Sequence, residues 1–167
     1  MLEVITRHSL SRATDEAVQL WALASAQYPK QHELLVKVAA TSMIEVASSF
    51  ALNARRALEV LPTRDKFPLV QPRWKWTPTS EQELVHDLWD GLNRIIHARR
   101  LEVGFEQLPP QASVIDGGAL VIPYIQTATD RKQLAFIDPF SLSHAFLYGA
   151  YPKLVAIHTD TPGGVVH

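Results

Sequence analysis

Apolar residues recur every three or four positions over much of the first hundred residues, and this spacing predicts amphipathic helices. The clearest stripe lies between Thr79 and Arg100, and Thr79 or Ser80 could cap the start of a helix there. Its apolar positions are Leu84, Val85, Leu88, Trp89, Leu92, Ile95 and Ile96. We therefore predict one long helix over residues 79–100, buried on one side. The residues expected to be core rather than binding residues are Leu88, Trp89, Leu92 and Ile96.

Two earlier segments show the same spacing. A short helix is predicted from Thr14, a favourable capping residue, to Gln27, where Tyr28-Pro29 ends it. A longer helix is predicted from Gln31 to Leu61, because Pro62 cannot continue it. Residues 1–12 show no clear pattern.

After Leu101 the apolar period changes from helical spacing to alternation, which indicates strands. Strands are predicted over 101–106, 119–126 and 133–138, with the polar residues 127–132 as a hairpin loop. Pro123 cannot donate to a strand ladder, so it indicates a sheet edge or a bulge.

The C-terminal residues are predicted to form a short helix, Ser141 to Tyr148, closed by Gly149, and then a loose tail from Pro152. The predicted fold class is α+β, with a predominantly helical core of three main helices, a small antiparallel sheet and a short terminal helix. One domain over residues 1–167 is expected, divided into a helical core at 13–100, a β-containing extension at 101–150 and a tail at 152–167.

Composition and charge exclude several classes of protein. The 167 residues are 47% hydrophobic and 20% charged with a formal net charge of -1, which suits one globular domain without a general affinity for nucleic acid. The chain has no cysteine, which excludes disulfides, thiolate metal sites and cysteine nucleophiles. No apolar run approaches the roughly 18 to 20 residues of a membrane span, and no signal-peptide pattern is evident. A cytoplasmic protein with no membrane partner is expected.

The polar side of the predicted 79–100 helix carries the side chains of greatest chemical interest. They are His86, Asp90, Asn93, His97 and Arg100, with Arg94 beside them. Steps of three or four residues align them on one ridge of a helix. Histidine can act as general acid or base, and Arg or Asn can stabilise charge on a phosphoryl oxygen, so the ridge suits phosphodiester chemistry. An ordinary solvated helix face is the alternative.

Two ligands, His86 and Asp90, do not make a metal site, so neither a metal nor a cofactor is predicted.

The connector before this helix contains Arg73-Trp74-Lys75-Trp76, which alternates basic and aromatic side chains. Such a segment can bind single-stranded nucleic acid by charge and stacking. Alternatively, the two tryptophans cover the edge of the helical core.

Helices that lead into Asn93-Arg94-Ile95-Ile96-His97-Ala98 resemble the HEPN superfamily of prokaryotic helical domains, over roughly residues 13–100. The family motif is an Arg followed at short spacing by a His, whereas the positions at that spacing before His97 hold Asp90, Gly91 and Leu92. The resemblance implies a metal-independent endoribonuclease of a toxin–antitoxin or antiviral defence system that acts as a homodimer. It implies His97 as acid/base, with Asn93 and Arg94 as its catalytic partners.

Three hypotheses for function follow. In the first, the chain is this HEPN-like RNase, and its RNA-binding residues are Arg99, Arg100, Arg73, Trp74, Lys75 and Trp76. In the second, it is a non-catalytic module that binds itself or a partner protein, through the ridge or through added strands. In the third, it is a small-molecule sensor with a pocket lined by Trp89, Phe105, Tyr124 and Phe136.

Overall fold

The structure is a computed structural model that describes residues 2–70, 72–75 and 83–160, without the side chain of Leu2. The helices are α1 (Leu2–Ser25), α2 (Glu33–Leu58), α3 (Leu88–Ile96), α4 (Pro139–His144) and α5 (Tyr151–Thr159), with a π-helical segment, Ala145–Ala150, between the last two. The strands are β1 (Tyr28–Pro29), β2 (Glu83–Leu84), β3 (Arg100–Gln107), β4 (Ala119–Ala128) and β5 (Ala135–Ile137). The predicted mixture of helix and strand is therefore confirmed.

The two long helices pack against each other through small buried side chains. Ala17 and Ala24 on α1, and Ala47 and Ala54 on α2, are fully buried. Alanine suits this contact because it keeps helix propensity high while it lets the two backbones approach closely. The second predicted helix is confirmed, although its start is capped by His32, whose Nδ1 accepts from the Leu35 amide at 3.1 Å.

The predicted start of α1 at Thr14 is wrong. The helix already begins at Leu2, and the Thr14 hydroxyl donates to the Leu10 carbonyl at 2.7 Å instead of capping a helix end. The segment before Thr14 is ordered into the helix because Leu10 and Ala13 are buried in the common core. Tertiary burial thus extends a helix beyond what local signals indicate.

The central helix is shorter than predicted. Its cap is Asp87, whose carboxylate accepts from the Trp89 amide at 3.0 Å and the Asp90 amide at 3.4 Å. Glu83–Leu84 form β2, which pairs parallel with β5. The capping residues predicted at Thr79 to Gln82 lie outside the described residues.

Within the described residues the sheet has five strands and is centred on β4, which pairs antiparallel with β1, β3 and β5. The expectation of a purely antiparallel sheet is wrong, because β2 joins β5 in parallel. The three longer predicted strands are confirmed with bounds shifted by one or two residues. The predicted hairpin loop begins later than expected, because Thr127 and Ala128 belong to β4 and pair in the sheet. Pro123 lies at a bulge, since Ile122 and Pro123 occupy the step between the pairs Gly104 with Tyr124 and Glu106 with Val121.

The C-terminal region differs from the prediction. Gly149 does not end a helix but lies inside the π-helical segment, where an added Cβ would come within 2.9 Å of the Phe67 ring. Pro152 stands in the first turn of α5, which continues directly from the π-helical segment. The predicted loose tail is therefore helical as far as Thr159, and residues 161–167 lie outside the described residues.

The core predictions for α3 are mostly confirmed. Leu88 and Leu92 are fully buried, and Trp89 is 7% exposed. Ile96 is half-buried and packs against the same core. The Trp89 indole N–H donates to the Asp65 carbonyl at 2.9 Å, so the ring is fixed as a core side chain.

Among the described helices, α2 is the one whose length and apolar composition would by themselves allow it to cross a membrane. The sequence-based expectation that the chain has no such apolar run is therefore wrong. Of the apolar segment of α2, 28% is buried, and the buried stripe of Ala, Met and Phe side chains packs against α1.

Candidate functional site

A cleft of about 460 Å³ lies between the end of α3 and the loop that joins β4 to β5. Its lining residues are Asn93, Arg94, His97, Thr129, Asp130, Arg131 and Lys132. The three residues predicted to be catalytic thus lie together. The four loop residues were not among the predicted site residues, although they lie within residues 127–132, which the sequence predicts as a hairpin loop.

Arg94 is built into the protein interior. It is 4% exposed; its Nε donates to Asp90 at 3.0 Å and its Nη2 donates to Glu83 at 2.8 Å. Its Nη1 is buried and has no hydrogen-bond partner within the described part of the chain. Two carboxylates therefore neutralise this guanidinium, which leaves little positive charge for a substrate phosphate.

Asp90 links α3 to the hairpin loop. Its Oδ1 accepts from Lys132 Nζ at 2.6 Å, while Oδ2 accepts from Arg94. Burial alone would raise the pKa of Asp90, but the hydrogen bonds from Lys132 and Arg94 outweigh it and lower the pKa below its usual range. The carboxylate is stabilised in its charged form and holds the two cations on either side of it.

This lowered pKa predicts a pH-dependent contribution to stability. A carboxylate whose pKa is lower in the folded state stabilises the fold above its unfolded pKa, about 3.9. The contribution is lost as the pH falls through the folded pKa. Asp90→Asn should therefore reduce the free energy of unfolding at pH 7, and its difference from wild type should shrink below about pH 4.

Urea denaturation of both proteins between neutral and acid pH measures this difference. Glu45→Gln is the matched control, because Glu45 is an exposed carboxylate on α2 for which no ion pair is found among the described residues. The control should change stability at pH 7 by less than about 0.5 kcal/mol. A difference for Asp90→Asn that grows as the pH falls would contradict the ion-pair assignment.

Asn93 is also engaged within the chain. Its side-chain oxygen accepts from Arg55 Nε on α2 at 3.2 Å, and Arg55 in turn pairs with Glu59 at 3.1 Å. The Arg55 guanidinium lies 4.9 Å from the centre of the Trp89 ring, and that of Arg64 lies 4.8 Å from it. The Asn93 side chain therefore links α3 to α2, through a contact that the sequence alone did not predict.

His97 is the remaining member of the predicted catalytic set. It is the exposed residue that ends α3, and its backbone N–H donates to the Asn93 carbonyl at 3.0 Å. No hydrogen bond from its imidazole to another described residue is found. His97 thus faces the cleft without a side chain that would orient it as an acid or base.

The predicted polar ridge is broken at both ends. His86 precedes α3, and Arg100 lies on β3, where it pairs with Glu102 at 2.8 and 3.2 Å. The pKa of Glu102 is lowered by this hydrogen bond. Arg99 pairs with Asp130. The prediction of one continuous ridge fails because α3 ends at Ile96 and the chain turns into the sheet.

Three of the four residues of the basic and aromatic connector, residues 73–75, lie within the described part of the chain. The Trp74 indole donates to the Ala24 carbonyl at 2.7 Å, and the Arg73 guanidinium lies 4.7 Å from the centre of the Trp74 ring. Trp74 thus closes the C-terminal end of α1, as the structural alternative anticipates. Lys75 is exposed, and Trp76 lies outside the described residues. Binding of nucleic acid by this segment stays a prediction.

The residues proposed for a sensor pocket take part in separate contacts. Tyr124 and Phe136 meet with their ring centres 4.5 Å apart, and Phe105 packs edge-on against Tyr28 at 6.1 Å. Trp89 is enclosed between α2 and the segment around Asp65. The four residues therefore do not line one common pocket.

Within the described ranges, no group of three or more metal-ligating side chains is found.

Comparison of the chain with protein-family models, with curated proteins and with solved structures gives no match. The HEPN likeness stays a prediction that rests on the residues from Asn93 to Ala98.

Proposed function

We propose that the chain is a non-catalytic protein-interaction module that acts through the free edge of its sheet. The observation that carries this proposal is the position of β3. This strand spans Arg100–Gln107 and pairs with β4 on one side, while its other edge forms no backbone hydrogen bond to any described residue. A long open edge is a template for another strand, because its unpaired N–H and C=O groups seek partners.

The chemistry of the cleft supports a non-catalytic role. Arg94 is 4% exposed and paired with two carboxylates, and the Asn93 side-chain oxygen accepts from Arg55, so the cleft offers little positive charge to a phosphoryl oxygen. The ion pairs of Arg94, Arg99 and Lys132 leave the exposed Arg131 as the one cation of this region without an ion pair within the described residues. Nucleic-acid binding depends on several uncompensated cations, which this cleft lacks.

An RNA-cleavage assay tests the proposal. Purified wild-type protein, incubated with single- and double-stranded RNA in the presence of EDTA, should cleave no more than His97→Ala does. His86→Ala is the matched control, because His86 is also an exposed histidine but lies outside the cleft. Cleavage that falls by about 10²- to 10⁴-fold in His97→Ala but not in His86→Ala would overturn the interaction role.

A HEPN-like, metal-independent RNase of a prokaryotic toxin or antiviral defence system is the second candidate. One observation favours it, namely that His97, Asn93 and Arg94 line a single cleft together with Arg131. In this case RNA, or a second chain that supplies the missing cations, would have to release Arg94 from Asp90 and Glu83. The same assay decides between the two candidates.

A further inference from the structure

We propose that the partner at the free edge of β3 is a second copy of this chain, which pairs antiparallel with β3 about a two-fold axis at Val103. The inference rests on the proposed interaction role of this edge and adds to it the partner and the register. Two-fold symmetry restricts the orientation and the register in which two copies of β3 can pair. A two-fold axis perpendicular to the sheet requires antiparallel strands and places a residue opposite its own copy at the centre.

Two centres give the longest overlap of β3 with its own copy. A centre at Val103 pairs residues 100–106, and a centre at Gly104 pairs residues 101–107. With the centre at Gly104, Glu102 lies opposite the partner's Glu106, and this repulsion occurs twice. With the centre at Val103, Arg100 lies opposite the partner's Glu106, and this attraction occurs twice. Opposite charges facing each other across strands stabilise a pair, and like charges destabilise it, so charge selects Val103.

The side chains of β3 fit this register on both faces. Glu106 is exposed and has no ion pair among the described residues, so it is available to the partner's Arg100. Arg100 already pairs with Glu102 of its own chain at 2.8 and 3.2 Å, so its guanidinium would bridge the two carboxylates. On the opposite face, Leu101 would lie against the partner's Phe105. Both side chains are only half-buried in the single chain, although they pack against its core. Pairing would extend the apolar face of one sheet into that of the other.

This dimer differs from the composite dimer that a HEPN-like RNase requires. The cleft lies next to the Arg100 end of β3, through Arg99 and its partner Asp130. Antiparallel pairing sets that end of one strand beside the Gln107 end of the other. The two clefts therefore lie at opposite ends of the joined sheet, and their His97 side chains do not meet.

Because the chain has no cysteine, a single introduced cysteine reports on the register. Val103→Cys places two thiols directly opposite each other, within the separation of about 4.4 to 6.8 Å between Cα atoms that a disulfide needs. Mild oxidation of the full chain should give a disulfide-linked dimer. Glu102→Cys is the control, because its thiol faces Gly104 of the partner and is diagonal to its own copy. More cross-linking through the more exposed residue 102 than through residue 103 would overturn the register.

A charge exchange tests the same pairing without cross-linking. Arg100→Glu or Glu106→Arg alone should raise the dimer dissociation constant about tenfold, since each places like charges opposite each other twice. The double variant should restore association to near the wild-type level. Light scattering during gel filtration measures the mass, and circular dichroism checks that each variant is folded. Glu45→Arg, on α2, is the charge control and should leave the mass unchanged.

Different results would contradict self-pairing at β3 and the proposed function. A wild-type protein that stays monomeric, or a double variant that is no better than the single variants, overturns self-pairing at β3. Cleavage of RNA that depends on His97 overturns the proposed function, whatever the mass of the protein.

Discussion

Arg94→Ala should lower the free energy of unfolding by about 3 kcal/mol, because it removes a buried side chain and two hydrogen bonds to charged groups, one of them to a largely exposed carboxylate. The substitution removes a guanidinium that is 4% exposed and bonded to both Asp90 and Glu83. Lys132 continues to pair with Asp90, and Glu83 is largely exposed, so the remaining carboxylates are not left without solvation. Urea denaturation followed by circular dichroism measures the loss.

Arg131→Ala is the matched control for this prediction. Arg131 lines the same cleft, but it is exposed and has no ion pair with the described residues. Its removal should change stability by less than about 0.5 kcal/mol. If the two variants were equally stable, Arg94 would not be structural, and its charge would be available to a ligand.

Leu92→Ala should destabilise the protein by about 2 to 5 kcal/mol, because it removes a fully buried side chain and leaves a cavity. Leu92 lies in the middle of α3, between the buried residues Leu88 and Ile95, so its surroundings cannot easily close around the smaller side chain. The midpoint of urea unfolding should fall with little change in the slope of the transition.

Leu52→Ala provides the comparison for Leu92. Leu52 is also a helical leucine, but it is 48% exposed on α2. Its loss should cost much less, since about half of its surface is already in contact with water. A change near zero for Leu92→Ala, or equal changes for both leucines, would show that the buried face of α3 is wrongly assigned.

The spacing of apolar residues predicts α2 well, but it does not determine the residue at which α3 begins. Leu84 and Val85 fit the helical stripe, yet they also suit a strand, and here Val85 donates to the Phe136 carbonyl at 2.9 Å. That partner is remote in sequence, so helical spacing cannot reveal it. Asp87 was the local signal that was missed, because it is a favourable capping residue immediately before Leu88.

The candidate site is predicted only in part for the same reason. Asn93, Arg94 and His97 lie within one turn of each other, so their proximity follows from helical geometry. The burial of Arg94 does not follow, since its ion pair with Glu83 and the pairing of Lys132 with Asp90 form only by tertiary folding. A buried arginine paired with two carboxylates and an exposed catalytic arginine cannot be told apart from the sequence alone.

Two surfaces thus compete for the role of functional site, namely the cleft at the end of α3 and the free edge of β3. Hydrogen–deuterium exchange of the wild-type chain, at concentrations below and above the onset of self-association, compares them directly. We predict that association slows exchange of the backbone amides in Arg100–Gln107 and leaves residues 129–132 unchanged. Slower exchange at residues 129–132 and around His97, with β3 unchanged, would contradict the account.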